Sequence, residues 1–244
     1  MHTARNDPRI LRGMATQLRL RQGRLNAGEK PLGWKVGFGA PGAMERLGID
    51  APLIGFLTDG TLLRSDVTLS LAGWTKPAAE PEIAVYIGND IYDTPGRETA
   101  RAAIVSVGSA IELADVSFPP EDVEAILAGN IYSRNVILGR PDSSRAGCVL
   151  DGLVGHICRN GREVAATTDP QALTGGLIDI VCHVADLLAA LSERLRAGEV
   201  IITGSIVPPL WIEPEEEIRF TLDPIDTISI NLMPAPDSES RSVS

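Results

Sequence analysis

Short apolar segments separated by glycine and proline constrain the fold of this chain more than any other feature. From about residue 31 to residue 90 the sequence contains PLGWKVGFG, PLIGFL, VTLSLAG and EIAVYIG. Glycine and proline interrupt regular structure, and apolar runs of this length are typical of strands. REVAAT, EIRFTL and TISINL continue the pattern, and Asn160-Gly161 predicts a hairpin turn. Strands joined by tight connections should therefore predominate.

Helical patterns precede and separate these predicted strands. Residues 8–24 place apolar and arginine side chains at helical spacing, and residues 97–109 predict a second helix. Pro119 and Pro120, followed by acidic residues, indicate another helix start, and residues 177–195 predict the longest helix. This mixture predicts an α+β fold, with a mixed β-roll or sandwich core and flanking helices.

The chain shows no linker that would divide it, so the sequence predicts one catalytic domain over residues 1–244. Within it we expect an N-terminal helical segment at about residues 8–28 and a core at about residues 30–233. The polar tail from about residue 235 to residue 244 is predicted to be mobile. Hydrophobic residues make up 44% of the chain and aromatic residues only 4%, so the core must be aliphatic.

The charge balance excludes several classes of partner. Acidic residues outnumber basic ones by 32 to 22, which gives a net charge of -10. Nucleic acids and anionic membranes need basic clusters, so neither is an expected partner. The three cysteines are widely spaced and predict neither a disulfide framework nor a zinc site. No apolar run has the length of a signal or membrane-spanning segment, so the expected location is cytoplasmic.

Glu80 and Glu82 lie in the apolar segment AAEPEIAVYIG. On a strand their side chains share one face, roughly 7 Å apart, and they repel each other unless a positive group lies between them. Pro81 cannot donate a ladder hydrogen bond, which predicts an edge strand or a strand end open to a cleft. Carboxylate oxygens are preferred ligands of hard cations, but a solvated strand face also explains the pair.

Glu112 and Asp115 interrupt a second apolar run. A buried carboxylate needs a partner, because an unpaired charge is costly to desolvate. One metal ion shared with the first pair would meet that need. The alternative is an ion pair with a nearby cation, and the pattern favours neither interpretation; the possible cations are Lys35, Lys76 and Arg134.

Lys35 lies within the apolar segment GWKVGFG, where a lysine is uncommon unless its ammonium group has a partner. Near a metal ion and an anionic substrate it can stabilise enolate charge or move a proton. It can equally be a counter-ion of the glutamates.

These segments together resemble the fumarylacetoacetate hydrolase superfamily, and within it the branch of 2-keto-4-pentenoate hydratases and 4-oxalocrotonate decarboxylases. The resemblance runs from about residue 32 to residue 232 and rests on GWKVG, AEPEIA, AIELAD, NIYSRNVILG and RAGEVIITGS in this order. It implies a fumarylacetoacetate-hydrolase-like fold and a bound Mg²⁺ or Mn²⁺. It further implies Glu80, Glu82 and Glu112 as the metal ligands.

The resemblance also assigns roles to other residues. Lys35 falls on the family lysine, and Ser133 is the other expected catalytic residue. Thr203 and Gly204 fall on a loop that closes over the substrate. The family further implies a homo-oligomer and the possible association of this chain with a paralogous hydratase or decarboxylase.

Several positions depart from the family pattern and concern the groups that handle water and protons. Leu53 replaces an acidic residue, and Phe38, Gly39 and Ala40 replace a Ser/Thr segment. Ile131 and Tyr132 replace a small residue and a serine, which leaves Ser133 one place along. The exact reaction is therefore less determined than the fold.

Two other patterns are set aside. GFGAPG at residues 37–42 matches the dinucleotide motif G-x-G-x-x-G, but the segment before it is unlike a buried parallel strand, so we interpret it as a turn. No histidine lies in the early segment where the superfamily hydrolases carry their His–Glu pair, and His183 is expected to be packed within a helix.

The small substrate implied is a 2-oxo or 2-hydroxydienoic acid. Our first hypothesis is hydration of a 2-hydroxy-2,4-dienoate to a 4-hydroxy-2-oxo acid. Decarboxylation of a 4-oxalocrotonate-like diacid is the second, and enol–keto tautomerisation needs the same metal platform. A non-catalytic partner subunit of a hydratase is the remaining alternative.

Overall fold

The computed structural model describes residues 4–234 and places five α-helices and thirteen strands among them. The helices are α1 (Pro8–Asn26), α2 (Pro41–Leu47), α3 (Arg97–Ala103), α4 (Val123–Ala128) and α5 (Leu177–Ala190). The strands are β1 (Pro31–Gly37), β2 (Leu53–Thr58), β3 (Leu62–Leu63), β4 (Val67–Leu69), β5 (Pro77–Ile87), β6 (Ile104–Asp115), β7 (Ser133–Leu138), β8 (Val154–Arg159), β9 (Arg162–Thr167), β10 (Val200–Ser205), β11 (Leu210–Trp211), β12 (Glu217–Asp223) and β13 (Asp226–Leu232). The mobile tail predicted at 235–244 lies outside the described residues.

The strands form two sheets. The larger has the order β2-β1-β10-β5-β6-β7-β3, with β11 paired to β5, and the smaller has the order β4-β13-β12-β8-β9. The prediction of an α+β fold with a mixed β core is confirmed. β1 and β2 are antiparallel, although α2 connects them. A dinucleotide fold needs parallel strands at this point, so setting that motif aside was correct, but the predicted turn is only partly right because Pro41 and Gly42 begin α2.

The two faces of the large sheet have different roles. Ile83 and Ile111 alternate with their neighbours and point into the main core, which also contains side chains of the smaller sheet such as Phe220. Burial of each such side chain contributes about 1.5–3 kcal/mol. A separate small apolar cluster lies on the opposite face and consists of Leu57, Ala84, Ala110, Val136, Val200 and Ile202.

Helix α1 confirms the prediction of a helix at residues 8–24. Asp7 caps its first turn by accepting a hydrogen bond from the Arg9 amide, and Pro8 occupies the first position. Gln17 is fully buried and donates from Nε2 to Ile54 O at 3.0 Å and to Leu127 O at 2.9 Å. The helix is thereby fixed to β2 and α4. No helix within residues 4–234 is long and apolar enough to span a membrane.

Three helix predictions are wrong in extent. The helix predicted at 97–109 ends at Ala103, because the β-branched residues that follow continue as β6. The helix after Pro119 and Pro120 begins only at Val123, where Asp122 caps it. Helix α5 ends at Ala190, so α1, with 19 residues against 14, is the longer helix.

Candidate metal centre and substrate cavity

Glu80, Glu82 and Glu112 meet on one face of the large sheet. Glu80 and Glu112 are directly paired across the antiparallel strands β5 and β6, and Glu82 is two residues further along the same face. One carboxylate oxygen from each residue lies within 4.8 Å of those of the other two. Glu82 and Glu112 are fully buried, and Glu80 is partly exposed. The sequence predicted this grouping.

Pro81 predicted an edge strand or a strand end open to a cleft, and the edge-strand alternative is wrong. β5 lies between β10 and β6 in the middle of the sheet. The register of β10 shifts between Ile202 and Ser205, and the Pro81 carbonyl faces this irregular stretch, accepting from Ile206 N at 2.9 Å. The missing Pro81 N–H points to the same side, so it removes no regular ladder bond.

Two buried oxygens of the glutamates have no polar partner. Gly204 N donates to Glu82 Oε2 at 2.7 Å, and Lys35 Nζ donates to Glu112 Oε1 at 2.5 Å. Among residues 4–234, no donor reaches Glu82 Oε1 or Glu112 Oε2. Buried carboxylate oxygens are normally satisfied, and oxygens left open toward one point suit a hard divalent cation. The donor set therefore fits a magnesium or manganese ion.

Burial and mutual repulsion raise the pKa values of the site. Burial, followed by the Glu112 charge, raises the pKa of Glu80 to about 7, although Lys35 opposes the shift. The pKa of Glu82 is raised further, mainly by burial and then by Glu112 and Glu80. Without a cation, the three carboxylates are costly to ionise together. A divalent cation would remove that cost.

The ion pair considered as an alternative for Glu112 is present, and its cation is Lys35. Lys35 is 2% exposed, and Nζ also donates to Ile131 O at 3.1 Å. Arg134 instead pairs with Asp115 at 2.9 Å, and Asp115 also accepts from two backbone amides. Asp115 is therefore satisfied without a metal ion, whereas Lys35 contacts only Glu112 of the three glutamates.

The remaining predicted residues divide into two groups. Thr203 and Gly204 line the cavity beside the glutamates, but they belong to strand β10 and not to a loop, which corrects that part of the prediction. Thr203 Oγ1 donates to Ile83 O at 3.1 Å. Ser133 begins β7 and is not among the cavity-lining residues, so its catalytic role stays a prediction.

A cavity of about 560 Å³ opens above Glu80 and Lys35. Its wall also carries Arg46 and Lys76, so that three of its four charged residues are cations in a chain of net charge -10. Such a wall favours an anionic ligand. Arg46 was not predicted, because a charged residue in a short helix carries no signal of a site. The aromatic lining residues are Phe38, Tyr132 and Trp211.

Curated relatives cover most of the chain. A 2-hydroxyhexa-2,4-dienoate hydratase from Comamonas testosteroni is 27% identical over 219 residues, which are 87% of this chain and 81% of that protein. A 4-oxalocrotonate decarboxylase from Pseudomonas sp is 25% identical over 215 residues, 85% of this chain and 81% of the relative. No protein-family model matches the chain.

Solved structures show similarity to the same kinds of protein. A 4-oxalocrotonate decarboxylase from Pseudomonas putida G7, complexed with magnesium and adipate, has a TM-score of 0.81 and 26% identity over 89% of this chain and 83% of its own. A fumarylpyruvate hydrolase from Pseudomonas aeruginosa, in complex with Mn²⁺ and pyruvate, has a TM-score of 0.65 at 14% identity, over 84% of this chain and 90% of its own, and shows the fold alone. The chain is therefore similar to members of the fumarylacetoacetate hydrolase superfamily, among them 2-keto-4-pentenoate hydratases and 4-oxalocrotonate decarboxylases.

Proposed function

We propose that this chain is a divalent-metal-dependent lyase that hydrates a 2-hydroxy-2,4-dienoate to a 4-hydroxy-2-oxo acid. The observation that carries the proposal is the convergence of three glutamate oxygens within 4.8 Å at the base of an anion-compatible cavity. Glu80, Glu82 and Glu112 are the proposed ligands of Mg²⁺ or Mn²⁺. The hydratases among the relatives support this reaction.

The proposed chemistry divides between the ion and the side chains. When bound, the ion supplies Lewis acidity that polarises the C2 carbonyl of a 2-oxo acid and stabilises enolate charge. The Lys35 ammonium lies in the cavity wall beside Glu112 and is placed to hold or deliver a proton at Nζ. Gly204 N orients the Glu82 carboxylate through its hydrogen bond to Oε2.

A second candidate is decarboxylation of a 2-oxo diacid on the same platform. Arg46 and Lys76 line the cavity and provide positive charge for a second carboxylate. The decarboxylase relatives, one of them complexed with magnesium and adipate, support this alternative. Both reactions need the same stabilised enolate, so the cavity wall and not the metal ligands would determine which occurs.

The decisive experiment measures the absorbance decay of 2-hydroxyhexa-2,4-dienoate with Mg²⁺ or Mn²⁺, before and after EDTA. We expect metal-dependent turnover that Glu82→Gln abolishes and Glu98→Gln preserves, because Glu98 is on the exposed side of α3. Formation of a 4-hydroxy-2-oxo acid identifies hydration, and release of CO₂ from 4-oxalocrotonate identifies decarboxylation.

No turnover of either acid, together with tight binding to a homologous hydratase, would refute the enzyme and favour a partner subunit. We further propose that the chain forms a single catalytic domain and is cytoplasmic. We also propose that it is a homo-oligomer, which sedimentation of the purified protein would detect.

A further inference from the structure

Three consecutive residues adopt left-handed backbone beside Lys35. Asn130, Ile131 and Tyr132 have φ values of 55°, 52° and 61°. Asparagine tolerates this conformation, but a β-branched residue such as Ile131 rarely adopts it. Strain of this kind persists only where neighbouring groups enforce it, and it concentrates at functional sites.

The strained turn aims one carbonyl group at the ammonium of Lys35. Lys35 Nζ donates to Ile131 O at 3.1 Å and to Glu112 Oε1 at 2.5 Å. The two acceptors come from different parts of the chain and together fix the direction of Nζ in the cavity wall. An ammonium group that was held only by Glu112 could rotate about its flexible stem.

Asn130 holds the turn in place. Its Oδ1 accepts from Phe56 N at 2.8 Å, and its Nδ2 donates to Phe56 O at 3.0 Å. The side chain is 3% exposed, so water does not compete effectively for either bond. The amide thus pairs with β2 as a neighbouring strand would, immediately before the carbonyl that reaches Lys35.

Gly55 leaves the space that this arrangement needs. It is paired with Lys35 across β1 and β2. A Cβ atom at position 55 would lie 2.8 Å from Lys35 Cγ and 2.9 Å from Asn130 Oδ1. Real Cβ atoms do not approach other atoms so closely, so any larger residue would displace the lysine stem, the asparagine amide or both.

We propose that Asn130 and Gly55 are positioning residues for Lys35, an inference that rests on the proposed catalytic use of that lysine. Asn130 fixes the left-handed turn whose Ile131 carbonyl orients Nζ, and Gly55 allows the lysine stem to cross β2. Neither residue lines the cavity. Their effect on turnover is therefore indirect.

The test compares Asn130→Gly, Gly55→Ala and Lys35→Met with Asn135→Ala, using 2-hydroxyhexa-2,4-dienoate and Mn²⁺. Glycine at position 130 accepts positive φ, so the variant loses the clamp without new backbone strain. Asn135 is a matched control. It lies on β7, shortly after the strained turn, and its Nδ2 likewise donates to a backbone carbonyl, Thr61 O, at 3.3 Å.

We expect kcat to fall at least about tenfold in Asn130→Gly and Gly55→Ala, since a misplacement of about 1 Å can cost about 100-fold. KM and the Kd for Mn²⁺ should stay within about twofold, because the glutamates are held by other strands. Asn135→Ala should retain wild-type kcat.

Wild-type kcat in Asn130→Gly, together with loss of activity in Lys35→Met, would overturn the positioning role and leave the proposed function intact. A parallel loss of kcat, substrate affinity and Mn²⁺ affinity in Asn130→Gly would also overturn it, because it would indicate a general structural role. Full activity in Lys35→Met would refute the catalytic use of the lysine itself.

Discussion

Burial and the two neighbouring glutamates oppose ionisation of Glu82 and raise its pKa. Glutamine has nearly the same shape, can still accept from Gly204 N and carries no charge. We therefore expect metal-free Glu82→Gln to unfold at higher urea concentration than metal-free wild type at neutral pH. Mn²⁺ should stabilise only wild type, by about 2.7 kcal/mol when free ion is at 100 times Kd.

Glu98→Gln provides the matched control for this measurement. The Glu98 side chain is 89% exposed on α3, and we expect its loss to change neither urea unfolding nor the response to Mn²⁺. An equal Mn²⁺ stabilisation in Glu82→Gln and wild type would place the ion elsewhere.

His183 gives the fold a pH dependence of known sign. Burial lowers its pKa below the usual 6.5, and Nε2 lies 2.8 Å from Pro52 O, as a neutral imidazole donating a hydrogen bond would. Below pH 6.5 the unfolded chain binds a proton that the folded chain does not. The free energy of unfolding should therefore fall as pH falls from about 6.5 toward the folded pKa.

The measurement compares urea unfolding of wild type and His183→Gln at about pH 7.5 and pH 5.5. Glutamine keeps a donor for Pro52 O but does not titrate, so it should remove part of the acid loss. The difference between the two proteins matters, because Glu80 and Glu82 shift stability in the opposite direction over this range. Identical pH slopes would refute the role assigned to His183.

The residue scale also shows which site features the sequence could predict. Strand alternation predicted that Glu80 and Glu82 share a face, and desolvation predicted that Glu112 needs a partner, but only the resemblance to the family joined the three into one cluster. The Ile131 carbonyl was not predictable, because it is a backbone group and its orientation depends on a left-handed turn. Ser133 is the opposite case. The resemblance to the family suggested a catalytic role for it, but it is not among the residues that line the cavity.

At the scale of elements, strands β1 and β10 pair closely, and this pairing places Lys35 of β1 beside the strand that carries Thr203. Gly33 pairs with Val200, and a Cβ at position 33 would lie 1.9 Å from Val200 O. We expect Gly33→Ala to lower the free energy of unfolding by about 3 kcal/mol or more, because the strands must separate. Urea unfolding measures the change.

Gly42→Ala is the matched control for Gly33→Ala. Gly42 lies in α2, and a Cβ there meets nothing within 4 Å. Alanine should be neutral or stabilise the helix by up to about 1 kcal/mol. Similar losses of stability in both variants would show that the β1–β10 contact is not the cause.

Element boundaries followed from the sequence less well than element types. Helix α2 was not predicted, because Pro41 and Gly42 resemble a turn and only tertiary packing of Leu47 secures the short helix. Because Pro81 lacks a donor, it was taken to mark an edge strand or a strand end open to a cleft, and the edge strand was wrong. A bulge in the neighbouring β10 compensates for that defect, and a bulge formed by distant residues leaves no signal near Pro81.

For the whole molecule, the net charge of -10 opposes the approach of an anionic substrate, whereas the cavity cations attract it. The Debye length is about 10 Å at 0.1 M salt, so charges far from the cavity are already screened there. Arg46 and Lys76 remain close enough to act. Added salt should therefore weaken substrate binding, although the protein as a whole is acidic.

We expect KM for an anionic 2-oxo acid to rise about two- to fivefold from 0.1 to 0.5 M salt in wild type, since exposed pairs contribute about 0.5–1 kcal/mol. A variant with Arg46→Gln and Lys76→Gln should have a higher KM than wild type already at the lower salt concentration, and that KM should change little as salt is added. The control carries Arg64→Gln and Arg162→Gln, which remove the same charge outside the cavity lining. It should behave as wild type, because only local cations remain unscreened. A KM that falls with salt would mean instead that the net charge governs substrate approach.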